Sequence, residues 1–217
     1  MKIQSTEDEL KISFEAFKSR VLEDYRIAVL SRECSYLGRR EVFSGKGKFG
    51  IFGDGKELPQ LAMNHFFQNG DFRSGYYRDQ TLLLAQGLLT VTNIFAALYA
   101  DLDRSREPMS GGRQMGGHFV TPSRDENGNW LDVINRKNHS GDISPTGSQM
   151  PRLLGLAQAS KVYRELKTLN RENFSKNGNE IAWGTIGNAS TSEGMFFETI
   201  NAAGVMQVPM VISIWDD

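Results

Sequence analysis

The chain has 217 residues, of which 39% are hydrophobic and 24% are charged, and its formal net charge is −1. This length allows one large domain with a sizeable core, and the balanced charge gives no electrostatic reason to expect nucleic acid or a membrane surface as a partner. A single cysteine, Cys34, excludes an internal disulfide framework, and the first eight residues lack the apolar core of a signal peptide. We therefore expect a cytoplasmic protein that binds neither nucleic acid nor a membrane.

The first segment, to about residue 44, is predicted to be a helical arm. Residues 6–9 (Thr-Glu-Asp-Glu) have the pattern of a capping box. Apolar residues then follow at helical spacing: Leu10, Phe14, Phe17, Val21 and Tyr25. An arm packed on a partner subunit and an ordinary peripheral helix fit this pattern equally well.

A glycine-rich connector follows the arm. Residues 45–50 formally match a dinucleotide-binding fingerprint, but no predicted strand precedes them, and Gly53 and Gly55 keep the chain from starting a helix there. A surface loop or connector is therefore predicted. We place a boundary at residue 57, with the N-terminal helical arm and connector over residues 1–57. The α/β domain then covers residues 58–217 and is expected to be truncated at its C-terminal end.

Helices are predicted over residues 58–67 and within residues 82–100. The second stretch has no charged residue and is long enough to cross a bilayer. Polar residues such as Gln86 and Asn93 interrupt it, and Arg78 and Asp101 flank it. A buried helix pair therefore explains it better than a membrane span.

Residues 107–148 are rich in glycine and are predicted to form loops. A long irregular stretch inside a compact domain is more often a binding region than filler. It contains His118 and His139, whose side chains can titrate near neutral pH, although a structural role fits His118 as well. Beyond it, a helix is predicted over residues 151–169.

The end of the chain predicts a strand–turn–helix–strand unit. Apolar runs at residues 181–186 and 208–214 read as strands, and residues 195–206 read as the helix between them. Parallel strands joined by a helix end at the same edge of a sheet, so Asn188 and Asp217 are predicted to face each other there. Oxygen ligands beside a glycine turn and a helix N-terminus can hold a divalent cation and a diphosphate.

Four stretches, taken in this order, resemble the thiamine-diphosphate-binding α part of the decarboxylating component of 2-oxoacid dehydrogenases. They are residues 76–79 (YYRD), 112–118 (GRQMGGH), 144–151 (SPTGSQMP) and 187–217. The Gly-Arg-Gln-Met and Ser-Glu-Gly motifs resemble those of the branched-chain enzymes more than those of the pyruvate enzymes. The resemblance implies an α/β fold of the thiamine-diphosphate-binding type, with a mostly parallel sheet and helices on both faces.

The resemblance also implies a cofactor site. The residues that match the family's contacts to thiamine diphosphate are Tyr77, Arg78, Ser144, Thr146, Gly187, Asn188, Ala189 and Ser190. His118 lies near the family's substrate channel and is the candidate catalytic residue. Judged from the residues alone, Arg78 and Asp79 form a solvated pair that caps the next helix, because exposed charges are the norm.

For the metal, the resemblance implies that Asn188 and Asp217 bind Mg²⁺. The family usually has the acidic residue first and the amide second, so the order is reversed here. Trp215 stands where branched-chain relatives carry an arginine that reaches the diphosphate. Ser148 and Gln149 match a loop that holds K⁺ in some relatives, but an ordinary helix N-terminus capped by Ser148 explains them equally well.

The implied activity is oxidative decarboxylation of a 2-oxo acid, branched-chain by the motif spellings, followed by acyl transfer to a lipoyl group. The implied partners are a β part, as a separate chain or fused domain, and a lipoyl-bearing acyltransferase, within an oligomer. We expect the chain alone to lack turnover, because the family's activating glutamate belongs to the β part. The alternatives are a non-catalytic assembly or binding domain of the same fold, or another thiamine enzyme, such as a pyruvate, acetoin or transketolase-like enzyme. Neither the 2-oxo acid nor the oligomeric state follows from the sequence.

Overall fold

The computed structural model describes residues 12–216. Within them the chain forms an α/β fold with six α-helices and one four-stranded sheet. The helices are α1 (Phe14–Phe43), α2 (Glu57–Phe66), α3 (Gln80–Ala85), α4 (Val91–Leu98), α5 (Gln149–Glu165) and α6 (Gly194–Met206). The strands are β1 (Phe72–Ser74), β2 (Asn138–His139), β3 (Ala182–Gly187) and β4 (Met210–Trp215).

All four strands run parallel, in the order β2–β1–β3–β4. Strands β3 and β4 pair along their whole length, from Ala182 opposite Met210 to Gly187 opposite Trp215. Helix α6 connects them, so both strands end at the same edge of the sheet. The predicted strand–turn–helix–strand unit is confirmed.

The side chains of β3 enter two apolar clusters, one on each face of the sheet, because successive residues of a strand point to opposite sides. The cluster between β3, α5 and α6 contains Met150, Leu153, Ala157, Ala182, Ile186 and Phe196. The cluster between β3, α2 and α3 contains Met63, Phe67, Leu82 and Trp183. Helices therefore cover both faces, and the predicted fold class is confirmed.

Helix α1 forms the predicted N-terminal helical segment. Ser13 caps it, and its hydroxyl accepts a hydrogen bond from the backbone N of Ala16 at 3.2 Å. The capping box predicted at residues 6–9 lies outside the described residues. Several large apolar side chains of α1 are exposed, namely Phe14, Phe17, Val21, Leu22, Tyr25 and Phe43. Residues 44–56 contain neither helix nor strand.

The uncharged stretch over residues 82–100 forms the end of α3 and the whole of α4, separated by a turn at Gly87. Thr90 and Asn93 form a capping box at the start of α4, which explains why a new helix begins there. No helix in residues 12–216 is both long enough and apolar enough to cross a membrane. The two predicted helices are present, but of α4 only Ala96 and Leu98 are buried.

Helix α5 differs from its predicted bounds of residues 151–169. It begins two residues earlier, directly after a loop that ends at Gly147, whose φ of +77° favours glycine. It ends four residues earlier, because Leu166 leaves the helical conformation with φ −94° and ψ 92°. The observed start brings Gln149 into the first turn of the helix, beneath the loop that carries Ser144.

Candidate functional site

A cleft lies where the loops after β1, β2 and β3 meet. Parallel strands bring these loops together because their carboxyl ends share one edge of the sheet. The residues that line the cleft are Tyr76, Tyr77, Ile143, Ser144, Pro145, Thr146, Gly147, Gln149, Gly187 and Ser190. The structure therefore brings together most of the residues that the sequence predicted to contact the cofactor.

The predicted metal edge is formed by the ends of β3 and β4. The backbone N of Asn188 donates to the carbonyl oxygen of Trp215 at 3.0 Å, and the Asn188 side-chain amide donates to the Asp216 carboxylate. Asp217, the second predicted metal ligand, lies outside the described residues. Asn188 is thus beside the end of β4, and donation from Nδ2 leaves its Oδ1 as the atom that can bind a cation. No cluster of three or more His, Cys, Asp or Glu side chains suited to a metal occurs within residues 12–216.

In the loop after β1, two buried donors lack partners in the described part of the chain, one on a residue that lines the cleft and one on a residue that does not. They are the hydroxyl of Tyr76 and Nε of Arg78. The Tyr76 hydroxyl approaches Gly187, since a Cβ built there would lie 3.9 Å from it. Burial raises the pKa of Tyr76, Asp79 adds to this rise and Arg78 opposes it, so the hydroxyl stays protonated and able to donate near neutral pH.

Arg78 and Asp79 do not form the solvated pair favoured by the sequence. Asp79 is 1% exposed. Its carboxylate contacts the guanidinium of Arg73 and accepts a hydrogen bond from the Thr185 hydroxyl at 2.6 Å. That prediction is wrong because strands β1 and β3 supply Asp79 with buried partners that lie elsewhere in the sequence.

Arg73 is the centre of a buried polar cluster beneath the cleft. Its guanidinium contacts Asp79 and donates to Asp142 Oδ1 at 2.7 Å, and its Nε donates to His139 Nδ1 at 2.8 Å. Arg73 and the two carboxylate side chains are at most 1% exposed. Gly75 must be glycine, because a Cβ there would overlap both the Arg73 guanidinium and the Asp79 carboxylate.

His139 is a neutral member of this cluster. Its Nδ1 accepts from Arg73, and its Nε2 therefore donates to Gln86 Oε1 at 2.6 Å. The ring stacks on Phe67 with a centroid distance of 5.5 Å. Burial, with Arg73 nearby, lowers the pKa of His139 well below the ordinary value for histidine. The prediction that His139 titrates near neutral pH is wrong.

His118 lies at the cleft and contacts Ser144. Its Nδ1 donates to the carbonyl oxygen of Met115 at 2.9 Å, so its Nε2 is the atom that accepts the hydrogen bond from the Ser144 hydroxyl. These two residues were predicted separately, as a candidate catalytic group and a cofactor contact. The structure places them side by side.

The two residues matched to a potassium loop, Ser148 and Gln149, have different surroundings. Gln149 is buried, and its side-chain amide donates to the carbonyl oxygen of Thr185 at 3.0 Å. Its backbone carbonyl accepts from the Ser74 hydroxyl at 2.8 Å. Ser148 occupies the N-cap position of α5 but makes no side-chain cap hydrogen bond. Gln149 therefore fixes the loop over β1 and β3.

A second cavity adjoins the cleft at Tyr77, which lines both spaces, and His118 lines this second cavity. Nine of its lining residues have apolar side chains: Ile51, Phe52, Leu83, Leu89, Ile94, Ala97, Leu98, Met109 and Phe119. The carboxylate residues Asp79, Glu107 and Asp142 also line it. The connector before α2 contributes part of this wall, as do α3, α4 and the glycine-rich loop. The polar cleft and the partly apolar cavity therefore lie side by side.

Comparison with known proteins identifies the family of this chain. The model of the family "Dehydrogenase E1 component" matches residues 25–215. The chain belongs to the dehydrogenase E1 family. The resemblance predicted from the four stretches is thereby confirmed at the level of the α component of 2-oxoacid dehydrogenases.

Two curated relatives of this E1 chain carry more specific names. It is 31% identical over 193 residues to the 2-oxoisovalerate dehydrogenase subunit alpha of Bacillus subtilis (strain 168), covering 86% of the chain and 48% of that relative. It is 25% identical over 197 residues to the pyruvate dehydrogenase E1 component subunit alpha of Acholeplasma laidlawii, covering 91% of the chain and 46% of that relative. The chain spans about half the length of the curated relatives it matches.

The sequence contains no local signal for the cluster around Arg73. Its members come from four separate segments, and Asp142 lies 69 positions from Arg73. Arg73 is followed by the small residues Ser74 and Gly75, and this local sequence is more typical of a turn than of a buried strand. Periodicity cannot show that this side chain is buried.

The cluster leads us to expect a pH-dependent stability difference between the wild type and an Asp79→Asn variant. Burial raises the pKa of Asp79 to about 6, and Arg73 only partly opposes it. The unfolded chain binds this proton only near pH 3.9. The free energy of unfolding of the wild type should therefore increase by about 1 kcal/mol relative to that of the variant as the pH falls from 7 to 5. This added stability should be lost as the pH rises through 6.

Urea denaturation of both proteins at pH 5, 6 and 7 measures this difference. Asp132→Asn, at an exposed position, is the control and should follow the wild type across this range. A difference between the wild type and Asp79→Asn that stays constant with pH would contradict the expectation.

Proposed function

We propose that this E1 chain binds thiamine diphosphate and Mg²⁺ in the cleft at the ends of β1, β2 and β3. The observation that supports this most directly is the pair of buried donors without partners, the Tyr76 hydroxyl and Arg78 Nε. Buried polar groups are normally hydrogen-bonded, so anionic ligand oxygens that reach this loop would account for both. The diphosphate of the cofactor has this chemistry.

The remaining residues of the cleft fit the other parts of the cofactor. Oδ1 of Asn188, with Asp217, would hold Mg²⁺ together with diphosphate oxygens, in the oxygen-rich coordination that this ion prefers. Ser144 and the backbone of Thr146 would orient the aminopyrimidine ring. When bound, the cofactor supplies a nucleophilic carbon and an electron sink for decarboxylation of a 2-oxo acid.

In this proposal His118 keeps its Nδ1 proton on the Met115 carbonyl and presents Nε2 as an acceptor at the cleft. Nε2 can therefore take a proton from a hydroxyl that reaches it. The neighbouring apolar cavity would hold the side chain of the 2-oxo acid and exclude water from it. A lining of leucine, isoleucine and phenylalanine side chains favours a branched, apolar substrate over pyruvate.

We propose that the acceptor of the acyl group is a lipoyl-bearing acyltransferase and that a β part completes the site. Support comes from the two relatives, which are named as α subunits. The exposed apolar side chains of α1 support assembly into an oligomer, because apolar patches of this kind are usually covered by protein.

A non-catalytic assembly domain is the second candidate, and Trp215 favours it. Its ring is 2% exposed and lies 5.6 Å from that of Tyr76, where the resemblance implies an arginine. Its indole N donates to the Ser213 hydroxyl at 2.8 Å. Aromatic packing thus replaces one positive contact to the diphosphate.

Calorimetric titration of the full-length protein with thiamine diphosphate distinguishes the two functions. The cofactor site should bind with a Kd in the micromolar range in Mg²⁺ and at least about tenfold more weakly in chelator. The matched variant is Tyr76→Phe, which removes the buried hydroxyl that has no partner. It should weaken binding about tenfold, while the apo protein keeps or gains stability by about 1 kcal/mol.

Tyr25→Phe is the control, because that tyrosine is 67% exposed on α1 and should change neither quantity. Absence of binding by the folded wild type would favour the assembly domain. Binding that is equally tight in Tyr76→Phe would remove the observation on which the proposed cofactor site depends.

A further inference from the structure

We propose that Arg73 and Asp142 are positioning residues that connect the two ends of the cofactor cleft. One end is the diphosphate-binding loop over residues 76–79, and the other is the aminopyrimidine-binding loop over residues 144–146. The inference rests on the proposed function, because it concerns a ligand that spans both ends. Both side chains are buried, so they act through the loops that they hold.

A single guanidinium holds both loops. One of its terminal nitrogens contacts Asp79, the residue after Arg78, and the other donates to Asp142, two residues before Ser144, at 2.7 Å. The nitrogens of a guanidinium have a fixed, planar spacing. The separation of the two carboxylates, and hence of the two loops, is therefore set by one side chain.

Asp142 also fixes the position of His118 relative to Ser144. Its Oδ2 accepts a hydrogen bond from the backbone N of Phe119 at 3.0 Å, and its own backbone N donates to the carbonyl oxygen of Phe119 at 3.0 Å. His118 precedes Phe119, and Ser144 follows Asp142 by two residues. The Asp142 carboxylate is therefore one of two groups that hold His118 and Ser144 in contact.

This arrangement leads us to expect a selective defect when Asp142 loses its charge. The diphosphate loop would remain held, because Asp79 keeps its contact with Arg73 and its hydrogen bond from Thr185 at 2.6 Å. The aminopyrimidine loop would lose its ionic contact. A ligand that occupies only the diphosphate end should bind as before, and a ligand that spans both ends should bind more weakly.

The experiment compares thiamine diphosphate with inorganic diphosphate, both with Mg²⁺, on the full-length Asp142→Asn protein. We expect the Kd for thiamine diphosphate to rise about tenfold and that for inorganic diphosphate to stay within about twofold. The control is Asp71→Asn. Asp71 is also buried, and it accepts hydrogen bonds from Trp183 Nε1 at 2.9 Å and from the backbone N of Ile181 at 2.8 Å, but at the opposite end of the strands. It should change neither Kd by more than twofold.

An equal loss of affinity for both ligands in Asp142→Asn, or no loss for either, would overturn the inference. If the wild type binds inorganic diphosphate but not thiamine diphosphate, the proposed function fails and the inference falls with it. If the wild type binds thiamine diphosphate and Asp142→Asn does so equally well, only the inference fails.

Arg73→Lys provides a second variant in case Asp142→Asn does not fold. Lysine keeps the positive charge but has a single ammonium group, which cannot hold two carboxylates at the spacing of a guanidinium. Asp79 keeps its hydrogen bond from Thr185 at 2.6 Å in this variant, so the diphosphate loop stays held and the same selective loss for thiamine diphosphate is expected. An unchanged ratio of the two dissociation constants in folded Arg73→Lys would contradict the proposal.

Discussion

Replacement of Arg73 by methionine is expected to lower the free energy of unfolding by about 3–5 kcal/mol. The substitution keeps a long side chain but removes the guanidinium that contacts both Asp79 and Asp142. Both carboxylate side chains are at most 1% exposed, so they would remain buried without their cationic partner. Removal of one member of a buried ion pair costs more than the pair contributes, because an uncompensated charge is left behind. Urea denaturation of the full-length protein gives the measurement.

Arg26→Met is the matched control for this substitution. Arg26 makes an exposed ion pair with Glu23 at 3.7 Å, and exposed pairs contribute little to stability, so this variant should unfold like the wild type. A triple variant that adds Asp79→Asn and Asp142→Asn to Arg73→Met should recover part of the loss, since it removes the stranded charges. A loss below about 1 kcal/mol in Arg73→Met would show that the cluster is not a major source of stability.

The end of the chain was predictable because its signals are local. Two apolar runs of strand length flank a helical pattern, and the handedness and direction of such units are strongly restricted. The observed register, with Gly187 opposite Trp215, follows from this unit. Asn188 therefore lies beside the end of β4 as predicted, although Asp217 is outside the described residues.

The buried polar cluster was not predictable because its signals are long-range. Ordinary statistics place charged residues on the surface, and this led to the wrong interpretation of Asp79 as solvated. The same statistics could not show that Arg73, from a three-residue strand, would lie between two carboxylates. Histidine chemistry suggested that His139 titrates near neutral pH, but the ring accepts from Arg73 and is buried.

The second large effect is expected at the metal edge, where Asn188→Leu should lower the Mg²⁺-dependent affinity for thiamine diphosphate about 100-fold. Leucine has the same number and branching of side-chain heavy atoms as asparagine but no oxygen to bind a cation. It also removes the donor that contacts the Asp216 carboxylate at the end of β4. Calorimetric titration in Mg²⁺ and in chelator separates the two consequences, because only the loss of the ligand depends on the metal.

Asn188→Asp makes the same site more acidic. In contrast to Asn188→Leu, it should raise the Mg²⁺-dependent affinity for thiamine diphosphate. Two carboxylates would meet where Asn188 now donates to Asp216, so like charges should lower stability in chelator. In Mg²⁺ the added carboxylate is a stronger ligand than an amide oxygen, so affinity for the cofactor should rise. Asn201→Leu, at an exposed position on α6, is the control. If Asn188→Leu keeps its full metal-dependent affinity, residue 188 is not a metal ligand, whatever the behaviour of Asn188→Asp.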